Sequence, residues 1–122
     1  MSIIKRDIER CMKGLTAVDG NALTAVFIFP EDFIGFQGHF PSRKVLPGVC
    51  HIQCVTLMFE KAKERPVTLK EIIQAKYISP VLPSEELICV CSSAQEGRNF
   101  ILKATLSRDS QKVSELKLRV SI

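Results

Sequence analysis

The residues of this 122-residue chain best placed to do chemistry fall in one stretch, from Gly38-His39-Phe40-Pro41 through Pro47-Gly48-Val49-Cys50-His51-Ile52-Gln53. His39 is the candidate general base, because imidazole titrates near neutrality and can accept and return a proton. A loop histidine is by default a surface or packing residue. His39 differs in that Gly38 permits close approach of a backbone or ligand, while Phe40-Pro41 restricts the chain that follows. Pro47-Gly48-Val49 opens a helix, whose first N–H groups lack intrahelical partners and lie at the positive end of its dipole. A carbonyl placed there would be polarised as in an oxyanion hole, although a proline-led helix start is common in itself. Gln53 stands on the polar side of the buried first turns, where an amide needs a network, a water or a ligand. His51 projects onto the apolar arc and is expected as a hydrogen-bonded core or interface residue rather than a second base.

Several elements must position these groups. Ile4, Ile8, Cys11 or Met12, and Leu15 recur at helical spacing, so a short amphipathic helix is expected over residues 3–13, stopped at Gly14. Asp19-Gly20-Asn21 is a turn signal. Ala22 to Phe29 is a nearly continuous apolar run, read as a strand buried on both faces. Pro30 to Pro47 is a long connection of the kind that usually carries function in a small domain. A helix follows over Gly48 to Arg65. Ile52, Phe59, Val55, Ala62, Met58, Cys54, Cys50 and Leu57 cover more than half of it, and Gln53, Thr56, Glu60 and Glu64 form a narrow polar stripe. Arg65-Pro66 ends it.

After Pro66 the period changes. Leu69 to Ile78 is a strand broken at Ser79-Pro80. Glu86 to Ala94, Asn99 to Ser107 and Val113 to Ile122 alternate apolar and polar residues, the last with Leu116, Leu118, Val120 and Ile122 inward. Glu96-Gly97-Arg98 and Arg108-Asp109-Ser110-Gln111 are the turns of an antiparallel meander with one buried face. One buried helix with a run of antiparallel strands implies a single α+β domain over 1–122. One helix cannot cover both faces of such a sheet, so a dimer is expected.

Composition narrows the function classes. The net charge of +4 is mild and the basic residues are scattered, with no basic stripe interleaved with aromatics, so nucleic acid is not the expected partner. No apolar run approaches the ~18 residues of a membrane span, and the charged N-terminus lacks a signal-peptide core, so a cytoplasmic protein is expected. The five cysteines are an odd number in apolar settings, which reads as reduced packing thiols. Cys50 and Cys54 with His51 fall short of the three or four well-spaced ligands of a zinc site. Neither metal nor cofactor is expected.

Phe36-Gln37-Gly38-His39-Phe40-Pro41 with Val45-Leu46-Pro47-Gly48-Val49 resembles the signature of the β-hydroxyacyl-[acyl-carrier-protein] dehydratases of the FabZ/FabA type. Ala75 to Leu87 resembles the strand-loop-strand that follows the helix in that family, and the likeness runs from about Phe33 to about Ser92. The resemblance implies a hot-dog fold, a helix wrapped by a curved antiparallel sheet, working as a dimer on acyl thioesters of acyl carrier protein or coenzyme A. It implies that His39 acts at the α-carbon, that the amide at Pro47-Gly48-Val49 holds the thioester carbonyl beside Phe40, and that each site joins side chains from two subunits. It also implies a carboxylic acid six residues after the turn's proline, to protonate the departing hydroxyl. That position is Gln53, and an amide cannot deliver a proton at neutral pH. Ser42, Lys44 and Ser84-Glu85 are lesser departures, affecting loop shape.

Three functions follow from this pattern. The chain is a dehydratase with a modified site, a subunit completed by an acid-bearing paralogue in a heterodimer, or a non-catalytic module that binds acyl chains or carrier protein. A hot-dog thioesterase is the weaker fourth. Arg43 and Lys44 are candidate contacts for an acidic carrier protein.

Overall fold

A computed structural model of the chain describes residues 3–36 and 44–122. The order of elements is α1 (Ile3–Cys11), β1 (Met12–Asp19), β2 (Ala22–Ile28), a short 3-10 turn (Ile34–Phe36), α2 (Gly48–Lys63), β3 (Thr68–Tyr77), β4 (Glu86–Glu96), β5 (Asn99–Arg108) and β6 (Gln111–Ser121). The strands form one six-stranded sheet in the order β1-β2-β4-β5-β6-β3, and every neighbouring pair is antiparallel. This is the expected α+β architecture.

The alternation read from β4 and β5 is what the sheet uses. Leu87, Cys89 and Cys91 are buried with Leu102, Ala104 and Leu106, and they join Cys54, Val55, Met58 and Phe59 of α2 in one core. Ile88 and Val90 point to the open face, where both are exposed. Tight turns close the meander: Gly97 has φ 61°, and Asp109 and Ser110 have φ 51° and 66°, the double left-handed geometry that suits the twist of a two-residue hairpin. After β2, Phe29, Phe33 and Phe36 pack in sequence, first tilted and then edge to face, at centroid distances of 4.8 and 5.5 Å, sealing the edge of the core where the chain leaves the sheet.

Four expectations need correction. The first helix stops at Cys11, and Met12–Asp19 is a strand paired with β2 through Leu15–Ala25, Thr16–Thr24 and Ala17–Leu23. Gly14 is a poor helix former and Thr16 and Val18 are β-branched, so the helical spacing of Leu15 is coincidental. β2 is not buried on both faces: Ala25 and Phe27 are buried, whereas Leu23, Val26 and Ile28 are partly exposed, because α2 covers one side of the sheet alone. Ile122 lies beyond β6 and is 37% exposed rather than inward. Finally, α2 ends at Lys63, where Glu64 takes φ 55° and closes the helix with its N–H on the Glu60 carbonyl. Among the described residues no helix is long and apolar enough to cross a membrane.

Candidate functional site

The start of α2 is held from both sides in sequence. Leu46 is buried, and its N–H donates to the Val81 carbonyl at 2.8 Å, tying the approach to α2 to the segment that follows β3. That segment is itself fixed. The Leu82 N–H donates to Glu85 Oε1 at 2.7 Å, Arg108 donates to the Pro80 carbonyl at 2.6 Å, and the Ser84 N–H donates to the Phe29 carbonyl at 2.7 Å. Ser84 achieves this at φ 68°, the backbone region that favours glycine.

Pro47 caps α2 with an extended backbone and offers no side-chain hydrogen bond. The first internal bond runs from the Cys50 N–H to the Pro47 carbonyl at 3.0 Å. The Gly48 and Val49 amides have no partner among the described residues, and Val49 is 55% exposed. Donors at the positive end of the helix are therefore open to a ligand. Tyr77 covers Gly48 from the other side, its hydroxyl donating to the Gly48 carbonyl at 2.9 Å. A Cβ on Gly48 would sit 2.8 Å from Tyr77 Cζ, so a larger residue at this point would have to displace the Tyr77 ring.

Gln53 follows Val49 at i+4, on the same face and ~6 Å further along the axis. Its Oε1 is buried without a hydrogen-bond partner and is alone in this among side-chain nitrogens and oxygens of the described residues. Such an atom carries a desolvation cost that a partner would relieve. Glu60, two turns further on, is committed elsewhere: Oε1 pairs with Lys5 at 2.6 Å, and Oε2 accepts from the Val67 N–H at 2.8 Å. It cannot stand in for an acid at Gln53.

His51 is buried and hydrogen-bonded, Nδ1 lying 2.8 Å from Ser114 Oγ. Burial lowers its pKa from 6.5 to about 4, so the ring is neutral at pH 7. Burial disfavours the charged form of the neighbouring thiol as well: it pushes Cys50 up to about 11, and a protonated thiol is no nucleophile. Together with Val45, Leu46, Gly48 and Tyr77, His51 lines a cavity of about 400 Å³.

Of the residues singled out from sequence, Pro47, Gly48, Val49 and Gln53 therefore share the first turns of α2. His39 and Phe40, with Arg43, lie outside the described residues. Lys44 is exposed, and its Nζ donates to the Glu31 carbonyl. Ser114 and Tyr77 were not singled out. The signal for Ser114 is its parity: it shares a face with Leu116, Leu118 and Val120, a lone hydroxyl on a buried side. Tyr77 is its register partner across β3 and β6.

The comparisons fit this geometry. A family model described as ApeI-like, ApeI dehydratase, matches residues 16–117. The 3-hydroxyacyl-[acyl-carrier-protein] dehydratase FabZ of Granulibacter bethesdensis is 31% identical over 97 residues, covering 71% of this chain and 57% of that protein. The FabZ of Polynucleobacter asymbioticus is 35% identical over 75 residues, covering 56% of this chain and 50% of that protein. The chain thus spans about half the length of the curated relatives it matches. Among solved structures, the dehydratase heterocomplex ApeI:P from Xenorhabdus doucetiae superposes with a TM-score of 0.76 at 18% identity, covering 91% of this chain and 96% of that one. A mutant of the thioesterase PA1618 from Pseudomonas aeruginosa gives a TM-score of 0.66 at 17% identity, with coverage of 88% and 78%. At these identities the likeness establishes the fold, a hot-dog.

Proposed function

The chain belongs to the ApeI-like dehydratase family, and from that premise we propose that it acts on β-hydroxyacyl thioesters, with an amide where the reaction's acid would stand. Dehydration removes a proton from the α-carbon, forms the double bond to the β-carbon and expels the β-hydroxyl, which leaves with a proton as water. His39 takes the α-proton. The Gly48 and Val49 amides hold the thioester oxygen, where charge gathers as that proton leaves. The face shared by Val49 and Gln53 suits a substrate whose carbonyl and hydroxyl are two carbons apart, so Gln53 meets the hydroxyl or a water beside it.

The observation that carries this reading is Gln53 Oε1, buried without a partner one turn below two helix-start amides that have no partner among the described residues. A carboxamide orients the leaving hydroxyl but does not protonate it, and general acid catalysis is typically worth ~10²–10⁴ in rate. Turnover by this chain alone is therefore slow.

Gln53 also supports a second reading, in which the chain is one half of a heterodimer and an acid-bearing paralogue completes a site. The solved dehydratase neighbour from Xenorhabdus doucetiae is a heterocomplex. Strand β3 offers the surface for either pairing. All ten of its residues are exposed, it borders β6 on one side alone, and it displays Leu69, Ile72, Ile73 and Tyr77. A long apolar edge strand is a template for another strand, and two-fold pairing of β3 with β3 closes the assembly. Replacing Ile72 and Ile73 together by lysine is expected to shift the sedimenting species from dimer to monomer; an unchanged dimer would place the interface elsewhere.

The function is tested by assaying hydration of a crotonyl thioester with wild type and His39→Ala. Slow turnover that is lost in His39→Ala supports the enzyme reading. Turnover indifferent to His39→Ala removes the base assignment. A homodimer that binds thioesters and turns over none supports the binding module, and full activity regained only with a co-purified paralogue supports the heterodimer.

A further inference from the structure

We propose that His51, oriented by Ser114, is the hydrogen-bond donor of the small, largely apolar cavity at the start of α2, and that this donor takes an oxygen of the acyl substrate. The proposal rests on the acyl-thioester reading above and adds to it a binding group outside the His39, Gly48 and Gln53 positions.

Among the described residues His51 and Ser114 are the two buried polar side chains, 3% and 0% exposed, and each is the other's partner. Ser114 Oγ has no second hydrogen bond there. A sealed hydroxyl that failed to donate would leave a buried donor unpaired, the costlier arrangement. Its proton therefore goes to Nδ1, which leaves the ring proton on Nε2. Nε2 makes no hydrogen bond to the described residues. It is not sealed either, because Gln53 Oε1 is the only side-chain nitrogen or oxygen there both buried and unpartnered. The small remaining opening of the ring gives onto the cavity that His51 lines.

The walls define the ligand's chemistry. Tyr77 meets the imidazole edge to face, with centroids 5.1 Å apart and an interplanar angle of 83°, and its hydroxyl is already spent on the Gly48 carbonyl. Val45, Leu46, Ile78 and Pro80 are apolar, Ser79 adds a hydroxyl, and among the described residues no charged side chain lines the space. An open, largely apolar pocket of about 400 Å³ with one fixed N–H suits an uncharged group bearing one acceptor. Phosphate and carboxylate find no cation there among the described residues. The carbonyl oxygen of a short acyl thioester meets every condition. A histidine serving the core alone would gain nothing from an open nitrogen that a hydrophobic residue would not have.

The test uses the full chain uniformly labelled with ¹⁵N and, as probe, butyryl-N-acetylcysteamine, a saturated thioester that can be neither hydrated nor dehydrated. In the free protein His51 is expected to carry its proton on Nε2, with Nδ1 bare, and the probe to shift Nε2 and the Gly48 amide along one saturation curve. Loss of one such hydrogen bond in His51→Leu weakens binding about threefold to tenfold. Shifts at Gly48 without any at Nε2 overturn this inference and leave the thioester reading intact. A proton found on Nδ1 overturns it as well. No saturable shift at either signal overturns both. The wild-type measurement needs no variant to fold.

Discussion

At the C-terminal end of α2, Glu60 gives one carboxylate oxygen to Lys5 and the other to the Val67 amide, Lys61 pairs with Glu9 at 2.6 Å, and Glu64 closes the last turn. At the N-terminal end, Gln53 Oε1 is buried without a partner, and the Gly48 and Val49 amides find none among the described residues. The cavities follow the same division. The larger, about 610 Å³, lies against Lys5, Glu9, Glu60, Lys61 and Arg65, charges that largely answer one another. The smaller, at the helix start, has no charged side chain among the described residues that line it. A protein satisfies buried polar groups wherever it can, so the half that withholds satisfaction is the proposed ligand side. Volume alone would point to the other end.

Substitutions at the two ends should therefore separate cleanly. Gln53→Glu carries the largest expected effect. A buried carboxyl without a partner is pushed toward its neutral form and becomes a ready acid, so crotonyl-thioester hydration should rise by ~10²–10⁴. Glu60→Gln should leave that rate unchanged.

Next is the pH dependence of stability. His51 has a folded pKa of about 4, below its ordinary 6.5, so the unfolded chain binds the proton more readily. Its contribution is whole above pH 6.5 and is lost as pH falls toward 4, by about 3 kcal/mol in total. Urea titrations of wild type and His51→Gln should diverge above that window and converge within it. Parallel curves would mean that the ring is not held neutral by burial.

Gly48→Ala must move the Tyr77 ring and should cost about 1–3 kcal/mol of stability, seen as a lower Tm; the cost should shrink in a Tyr77→Leu background. Glu60→Gln, although silent for turnover, should lower stability by up to about 1 kcal/mol through the partly buried Lys5 pair. Ser84→Gly, relieving φ 68°, should be the mildest, neutral to about 1 kcal/mol stabilising.

The meander and α2 were legible because one face of each is buried, so period and burial coincide: Leu87, Cys89 and Cys91 alternate in sequence and in the core alike. β1 was not legible. Lys13, Gly14, Thr16, Ala17 and Val18 are exposed, so no apolar alternation is imposed on them and the helical pattern of α1 runs on past its end. For β3 the extent was readable and the role was not, since a strand exposed on both faces shows no inward side. At the candidate site, Gly48 and Gln53 were readable from spacing. Ser114 was not, because its meaning depends on meeting His51 from 63 residues away.

The division of α2 is tested most directly by mapping backbone amide shifts while butyryl-N-acetylcysteamine is titrated into the full-length protein. Gly48, Val49 and Gln53 are expected to move together and saturate, while Glu60, Lys61 and Val67 stay in place. Saturable shifts at Glu60 and Lys61 with none at Gly48 would contradict the account, placing the ligand at the charged end of the helix.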